Sequence, residues 1–171
     1  AAIVGGGPTG MAAAYFVARA GIPVTLYERA EQLGGVVRQV IPSFRIQDEA
    51  IDKDAAVLEK LGVDIRLNTE APPVEALKKQ GFTHIFYAVG AWKAGRLDVS
   101  GNVVPVIGWL KDLKAGKAVS LGHVVVAGGG NTAMDAARAA RKAGAASSTL
   151  VYRRTRKYMP ADAEELELAL A

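Results

Sequence analysis

Two glycine-rich segments, each set between a short apolar run and an alanine-rich run, constrain the fold of this chain more than any other feature. The first, residues 5–10 (GGGPTG), follows the apolar residues 1–4. The second, residues 128–133 (GGGNTA), follows the apolar residues 124–127. A strand-like run, a glycine turn and a helix-forming run in this order are typical of the unit that holds a dinucleotide pyrophosphate. We therefore expect an α/β, Rossmann-like fold with a parallel sheet and two such units.

In the first segment, Gly5, Gly7 and Gly10 have the spacing of a dinucleotide fingerprint. The first glycine permits the turn from strand to helix, the second lets the backbone approach the phosphates, and the third lets the helix pack on the strand. The next strand-like run ends at Glu28, eighteen residues after Gly10. A carboxylate there can accept hydrogen bonds from a ribose diol. The alternative is that the glycines only build a turn and Glu28 is solvated.

The second segment differs at the position that selects the nucleotide. Laying residues 26–29 against residues 151–154 places Arg153 where the first unit has Glu28. A guanidinium cannot accept from a 2′-hydroxyl, but it can clamp a 2′-phosphate. This alignment predicts NADP(H) in preference to NAD(H). The alternative is a solvated basic cluster at residues 153–157.

Composition excludes several other classes of site. The chain has 171 residues, 50% of them hydrophobic, and no cysteine. A redox-active disulfide, a cysteine-ligated iron–sulfur cluster and a cysteine nucleophile are therefore excluded for these residues. The two histidines, His84 and His123, predict no metal site. The net charge of +4 is dispersed and does not predict nucleic-acid binding, and no apolar run is long enough to span a membrane. We expect a cytoplasmic protein.

The remaining pattern predicts two dinucleotide-binding domains, at 1–118 and at 119–171, with the boundary between 115 and 121. Helices are predicted at 10–20, 48–61, 74–80 and 106–113, and from residue 132. Strands are predicted at 24–27, 63–67, 124–127 and 149–152, with a buried strand at 84–90 and a loop at 33–45.

The chain resembles the flavin- and NADPH-binding module of the glutamate synthase small subunit family. It is also similar to the flavin module of dihydropyrimidine dehydrogenase and to selenate-reductase-type FAD oxidoreductases. The resemblance lies in IVGGGPTGMAAAYFVARAG, LGGVVRQVIPSFRI, HIFYAVGAW, VVVAGGGNTAMDAARAA and VYRRTRKYMPA, which together cover nearly the whole chain.

The resemblance implies two cofactors, FAD and NADPH, and a set of residues that contact each. The FAD contacts would be Gly5, Gly7, Gly10, Glu28, Gly35, Arg38 and Gly90. The NADPH contacts would be Gly128, Gly130, Asn131, Thr132, Arg153 and Arg154. From the residues themselves, Gly35 could equally lie in a plain turn, and Thr132 with Asp135 could form a helix capping box. No catalytic side chain is predicted, because the cofactors carry the chemistry.

The resemblance also implies that electrons pass onward to an iron–sulfur domain or a catalytic partner subunit. Compared with the family, the chain looks truncated, since the later segment that closes the flavin site is absent. We therefore expect weak or absent NADPH-dependent reduction of added FAD by these residues alone. Two alternatives are a nucleotide-binding module without turnover and a methyltransferase; the second is disfavoured by the paired glycine segments and by Arg153.

Overall fold

The computed structural model describes residues 1–93, 95, 98–117 and 121–171. The chain divides into two compact units. The first unit is Ala1–Gln39 with Ser43–Trp92, and the second is Val40–Pro42 with Lys93–Ala171. The predicted domain boundary at residues 118 and 119 lies outside the described residues and stays a prediction.

The first unit contains a four-stranded, fully parallel sheet with its strands in the order β3-β2-β1-β4. In chain order its elements are β1 (Ala2–Val4), α1 (Pro8–Arg19), β2 (Thr25–Tyr27), α2 (Gly35–Gln39), α3 (Asp48–Lys60), β3 (Asp64–Arg66), α4 (Val74–Lys79) and β4 (Ile85–Tyr87). The strand order reverses at β1, between β2 and β4. Ligands of open parallel sheets bind at the carboxyl ends of the strands at such a reversal. The first glycine segment follows β1 and so lies at this point.

Local sequence explains where the two long helices of this unit begin. Helix α1 starts at Pro8, where the missing N–H and fixed φ of proline fit the first helical position. Helix α3 has Asp48 and Glu49 in its first turn, where negative charge interacts favourably with the helix dipole. Between these helices and the sheet lies a core that contains the fully buried Ile3 and Leu26. Each such side chain contributes about 1.5–3 kcal/mol relative to full exposure.

The second unit contains a parallel pair of strands, β5 (His123–Ala127) and β6 (Ser147–Val151). Its helices are α5 (Val106–Lys114), α6 (Asn131–Lys142) and α7 (Ala163–Leu170), with a 3₁₀ turn at Arg156–Tyr158. The buried face of α6 consists mainly of alanines and Met134, which is fully buried. Small side chains allow α6 to pack closely on the strand pair. The sequence prediction did not include α7.

Two predicted elements differ from the structure. The predicted loop at 33–45 contains the short helix α2, whose first residue, Gly35, belongs to a glycine pair that predicts a turn. The strand predicted as buried at 84–90 is shorter, and its Phe86 and Tyr87 are 43% and 58% exposed. The reason is that β4 is an edge strand of the described sheet, so an apolar run here did not indicate burial on both faces.

Of the helices in the described part of the chain, none is both long and apolar enough to cross a membrane.

Candidate functional site

The first glycine loop, residues 5–10, needs glycine at its two ends because of its own backbone packing. Gly5 has a φ of +105°, and a β-carbon on it would lie 2.4 Å from the carbonyl oxygen of Ala88. A β-carbon on Gly10 would lie only 1.8 Å from the carbonyl oxygen of Gly5. These two glycines therefore close the turn between β1 and α1 whether or not a ligand is present.

Gly7, in the middle of the same loop, has no such constraint. Its φ is −75°, a value open to any residue, and a β-carbon on it would meet only the Cα of Gly35, at 3.8 Å. Gly7 is the N-cap of α1 and provides no side-chain cap. The free protein thus has open space next to a helix N-terminus, where the first N–H groups lack intrahelical partners and the dipole favours an anion. A phosphate group is the kind of anion that such a helix N-terminus favours.

A second pair of glycines, Gly34 and Gly35, packs directly on this loop. The N–H of Gly34 donates to the carbonyl of Gly6 at 2.8 Å. Gly35 has a φ of +52°, and a β-carbon on it would lie 2.8 Å from the Cα of Gly7. The segment is therefore more than a plain turn: it forms the wall of the first glycine loop.

Glu28 lies just after β2 and is buried, at 8% exposure. Its Oε2 accepts a hydrogen bond from the N–H of Gly6 at 2.6 Å, and its Oε1 accepts one from the N–H of Ala30 at 2.8 Å. The backbone N–H of Glu28 donates to the carbonyl of Arg66 at 2.9 Å. A carboxylate has about four lone-pair sites, so two N–H donors leave capacity for ribose hydroxyls.

The neighbouring strand, β3, carries an ion pair between Asp64 and Arg66. The Arg66 guanidinium donates to the Asp64 carboxylate at 2.9 Å, and this hydrogen bond raises the pKa of Arg66.

Arg38 is buried and its guanidinium is bound within the protein. Its Nε donates to the carbonyl of Leu33 at 2.6 Å, and one terminal nitrogen lies 2.5 Å from a carboxylate oxygen of Asp52. The other terminal nitrogen lies 3.7 Å from Asp48. Arg38 thus ties the glycine pair to the start of α3. The contact with FAD that we predicted for Arg38 stays a prediction; the structure supports a positioning role.

In the second glycine loop, residues 128–133, packing also requires glycine at one position and leaves another position free. A β-carbon on Gly129 would lie 2.5 Å from the ring of Tyr152, so the ring covers this glycine. Gly130 is the N-cap of α6, with a φ of −98° and no side-chain cap. A β-carbon on Gly130 would meet only Pro160, at 3.9 Å. Gly130 therefore corresponds to Gly7, because the packing around each would also accommodate a β-carbon.

The register of the two strand pairs corrects the predicted equivalence of Arg153 and Glu28. Val4 pairs with Tyr27 at the end of β1 and β2, and Ala127 pairs with Val151 at the end of β5 and β6. The residue equivalent to Glu28 is consequently Tyr152, and the equivalence with Arg153 was wrong by one residue.

The packing of the two loops agrees with this register. Glu28 lies against Gly6, as Tyr152 lies against Gly129. The sequence alignment matched Tyr27 to Tyr152 by residue type, although β6 ends one residue earlier than that match requires.

The capping box predicted for Thr132 and Asp135 is also wrong. The Ser or Thr of a capping box must be the N-cap residue. The N-cap of α6 is Gly130, and Thr132 lies inside the helix. Thr132 is exposed, whereas Asp135 is buried.

Asn131 uses its side chain to hold the segment that follows the basic residues 153–157. Its Nδ2 donates to the Asp162 carboxylate at 2.7 Å, and its Oδ1 accepts from the N–H of Asp162 at 2.9 Å. The N–H of Ala161 donates to the carbonyl of Gly129 at 3.0 Å. Residues 159–162 (MPAD) therefore cross the second glycine loop. In the sequence, the only signal of this segment was MPA at the end of the run VYRRTRKYMPA. Its role is visible only in these long-range contacts.

The remaining predicted site residues lie at the ends of strands. Arg153 and Arg154 follow β6 and are both exposed. Gly90 follows β4 with a φ of +73°, which favours glycine. Gly128 faces Ala133, since a β-carbon on it would lie 3.0 Å from that side chain. The contacts of these residues with cofactors stay predictions.

Comparison with known proteins agrees with the resemblance seen in the motifs. The chain is 46% identical over 175 residues to a protein of Escherichia coli (strain K12) that is named as an oxidoreductase, YgfK; the match covers 99% of this chain and 17% of that protein. It is 32% identical over 183 residues to the glutamate synthase [NADPH] small chain of Azospirillum brasilense, a match that covers 96% of this chain and 38% of that protein. The predicted similarity to the glutamate synthase small subunit family is thereby confirmed.

The fold has the same support from solved structures. The structure of Mycobacterium tuberculosis FprA in complex with NADPH is 22% identical and superposes with a TM-score of 0.80, over 97% of this chain and 46% of that one. The chain spans less than half the length of each of these three proteins. Residues 1–170 match the family model described as pyridine nucleotide-disulphide oxidoreductase. With the paired glycine loops on a parallel α/β scaffold, this match shows that the chain belongs to the pyridine nucleotide-disulphide oxidoreductase family.

Proposed function

We propose that this chain is a module that passes a hydride from NADPH to FAD, from which electrons continue to an iron–sulfur domain or a catalytic partner subunit. The observation that carries the proposal is the pair of glycine N-caps, Gly7 and Gly130. Each begins a helix after a parallel strand, and each lacks a side chain that its packing would tolerate. Two helix N-termini without a side-chain cap, each following a parallel strand, fit the pyrophosphates of two dinucleotides.

In the first unit the proposed ligand is FAD. The backbone around Gly7 would bind its pyrophosphate, with Gly35 as the wall of the loop. Glu28, held in place by the N–H groups of Gly6 and Ala30, would accept hydrogen bonds from the ribose. Arg38 would support the site indirectly, because its hydrogen bond to the carbonyl of Leu33 fixes the adjacent glycine pair.

In the second unit the proposed ligand is NADPH. The backbone at Gly130 and Asn131 would bind the pyrophosphate. The Asn131 side chain would not take part, because it is hydrogen-bonded to Asp162. Arg153 and Arg154 are exposed at the end of β6 and would bind the 2′-phosphate, since guanidinium groups match phosphate geometry. FprA in complex with NADPH and the glutamate synthase [NADPH] small chain support this choice of nucleotide by similarity.

FAD, when bound, supplies the two-electron acceptor for the hydride of NADPH. The residues of this chain bind and orient the two nucleotides, and we assign no catalytic side chain. The onward acceptor, an iron–sulfur domain or a catalytic subunit, is proposed from the resemblance to the glutamate synthase small subunit.

The test uses the protein expressed from its complete natural coding sequence. Extraction followed by mass measurement of released nucleotides identifies the resident flavin. Under anaerobic conditions we expect added NADPH to bleach the flavin absorbance band. Tight NADPH binding without bleaching would favour the competing function, a nucleotide-binding module without turnover. A protein that takes up neither FAD nor NADPH would contradict both.

Replacing Arg153 by alanine should weaken NADPH binding and leave NADH binding nearly unchanged. Loss of one charge-assisted hydrogen bond to the 2′-phosphate is expected to raise the NADPH dissociation constant by about 10- to 100-fold. Isothermal titration with each nucleotide measures the effect. Lys157→Ala, in the same exposed basic segment, is the control for a general loss of positive charge. Equal weakening of NADPH and NADH by Arg153→Ala would show that the arginine supports the fold or the pyrophosphate instead.

A further inference from the structure

Tyr152 makes two contacts that join the second glycine loop to the arginine-bearing segment. Its ring lies over Gly129, with ring carbons 2.5 Å and 2.6 Å from the position of a β-carbon. Its hydroxyl donates to the backbone carbonyl of Tyr158 at 2.7 Å. The two ends of the basic loop, which we define as residues 153–157, are therefore connected by one hydrogen bond.

The chain beyond the basic loop is held against the same glycine loop. Ala161 donates to the carbonyl of Gly129, and Asp162 is paired with Asn131. Within the basic loop, Arg156 forms an ion pair with Glu167 on α7. The basic loop is thus bounded by fixed points on both sides, while Arg153 and Arg154 stay exposed at its start.

The strand register gives Tyr152 a second significance. Tyr152 occupies the position that Glu28 occupies in the first unit. Glu28 presents a carboxylate that accepts from Gly6. Tyr152 instead presents an aromatic ring, and its hydroxyl is committed to Tyr158. The second unit consequently has no carboxylate at the position where a ribose 2′-hydroxyl would be recognised.

We propose that Tyr152 is the positioning and specificity residue of the second nucleotide site. It selects a dinucleotide that carries a 2′-phosphate in two ways. First, it stands where a carboxylate would bind a 2′-hydroxyl and repel a 2′-phosphate. Second, it holds the basic loop beside the second glycine loop. This inference rests on the proposed function, because it concerns the nucleotide that the second unit binds.

Two substitutions separate these two roles. Tyr152→Phe keeps the ring on Gly129 and removes the hydrogen bond to Tyr158. It is expected to raise the NADPH dissociation constant by about 3- to 10-fold, the loss of one neutral hydrogen bond, with no change for NADH. Tyr152→Glu places a carboxylate at the position equivalent to Glu28. It is expected to change the ratio of the NADH and NADPH dissociation constants by about 100-fold towards NADH, the combined effect of one new charge-assisted bond and one repulsion.

The measurement is isothermal titration of NADPH and NADH into the natural full-length protein, with circular dichroism as a check on folding. Tyr15→Phe is the matched control, since it removes a hydroxyl that accepts a hydrogen bond from Arg19 in the first unit. The control should change neither dissociation constant.

The outcomes distinguish this inference from the proposed function. The inference is supported if the ratio of the NADH to the NADPH dissociation constant falls in Tyr152→Phe and drops below one in Tyr152→Glu. If the unmodified protein binds NADPH but Tyr152→Phe keeps the ratio, or weakens both nucleotides equally, the inference is wrong and the proposed function stands. If the unmodified protein binds neither nucleotide, the proposed function is wrong and the inference with it.

Discussion

Replacing Gly10 by alanine is expected to lower the free energy of unfolding by about 3 kcal/mol, the upper part of the range for overpacking. The added methyl group would lie 1.8 Å from the carbonyl oxygen of Gly5. That oxygen belongs to the backbone of the turn between β1 and α1 and cannot rotate away as a side chain can. The helix must therefore move off the sheet, and the buried core beneath it must loosen. Urea unfolding followed by circular dichroism, without added cofactor, measures the change.

A stability within about 0.5 kcal/mol of the unmodified protein, the range of ordinary surface substitutions, would contradict the packing argument for Gly10. The same measurement on Gly7→Ala, three residues earlier in the loop, is the matched control.

Replacing Gly7 by alanine is expected to weaken FAD binding by about 10- to 100-fold, which corresponds to the loss of one charge-assisted hydrogen bond. In the free protein the added methyl would meet only the Cα of Gly35, at 3.8 Å. The stability cost is therefore limited to the poorer N-cap, about 1 kcal/mol or less. In the complex, the methyl would occupy the space in which the backbone approaches the pyrophosphate. Titration of FAD followed by flavin fluorescence measures the affinity.

Stability and affinity must be measured separately for Gly7→Ala, because a bound ligand itself stabilises the folded state. Unchanged FAD affinity would show that the space beside Gly7 is not used by the cofactor. A loss of stability as large as that of Gly10→Ala would show that the fold, rather than a ligand, requires glycine at position 7.

The order of elements could be predicted from the sequence because it depends on local patterns. The apolar run, glycine turn and alanine-rich run of each unit predicted β1 with α1 and β5 with α6. The helix predicted at 48–61 agrees with α3, whose buried Ile51 and Leu58 follow helical spacing. Such signals involve residues within a few turns of one another, which is why they are visible in the sequence.

The contacts of single polar residues could not be predicted in the same way. The sequence analysis considered Asn131 and Arg38 only as cofactor ligands. In the structure Asn131 is bonded to Asp162, 31 residues later, and Arg38 to Asp52, 14 residues later. The sequence spacing does not show whether the side chains of Asn131 and Arg38 bind solvent, a ligand or another residue. The short helix α2 was missed because it has only five residues and begins at Gly35, the second of two consecutive glycines, which are typical of turns.

By itself, the sequence determined that this protein has two strand–glycine–helix units on a parallel α/β scaffold, since glycine spacing and hydrophobic runs are local properties of the chain. Only the tertiary structure decided which residue of the second unit corresponds to Glu28. The answer, Tyr152, depends on the hydrogen-bond register between β5 and β6. A register joins residues that are far apart in the chain, and a shift of one residue exchanges an arginine for a tyrosine at the position equivalent to Glu28.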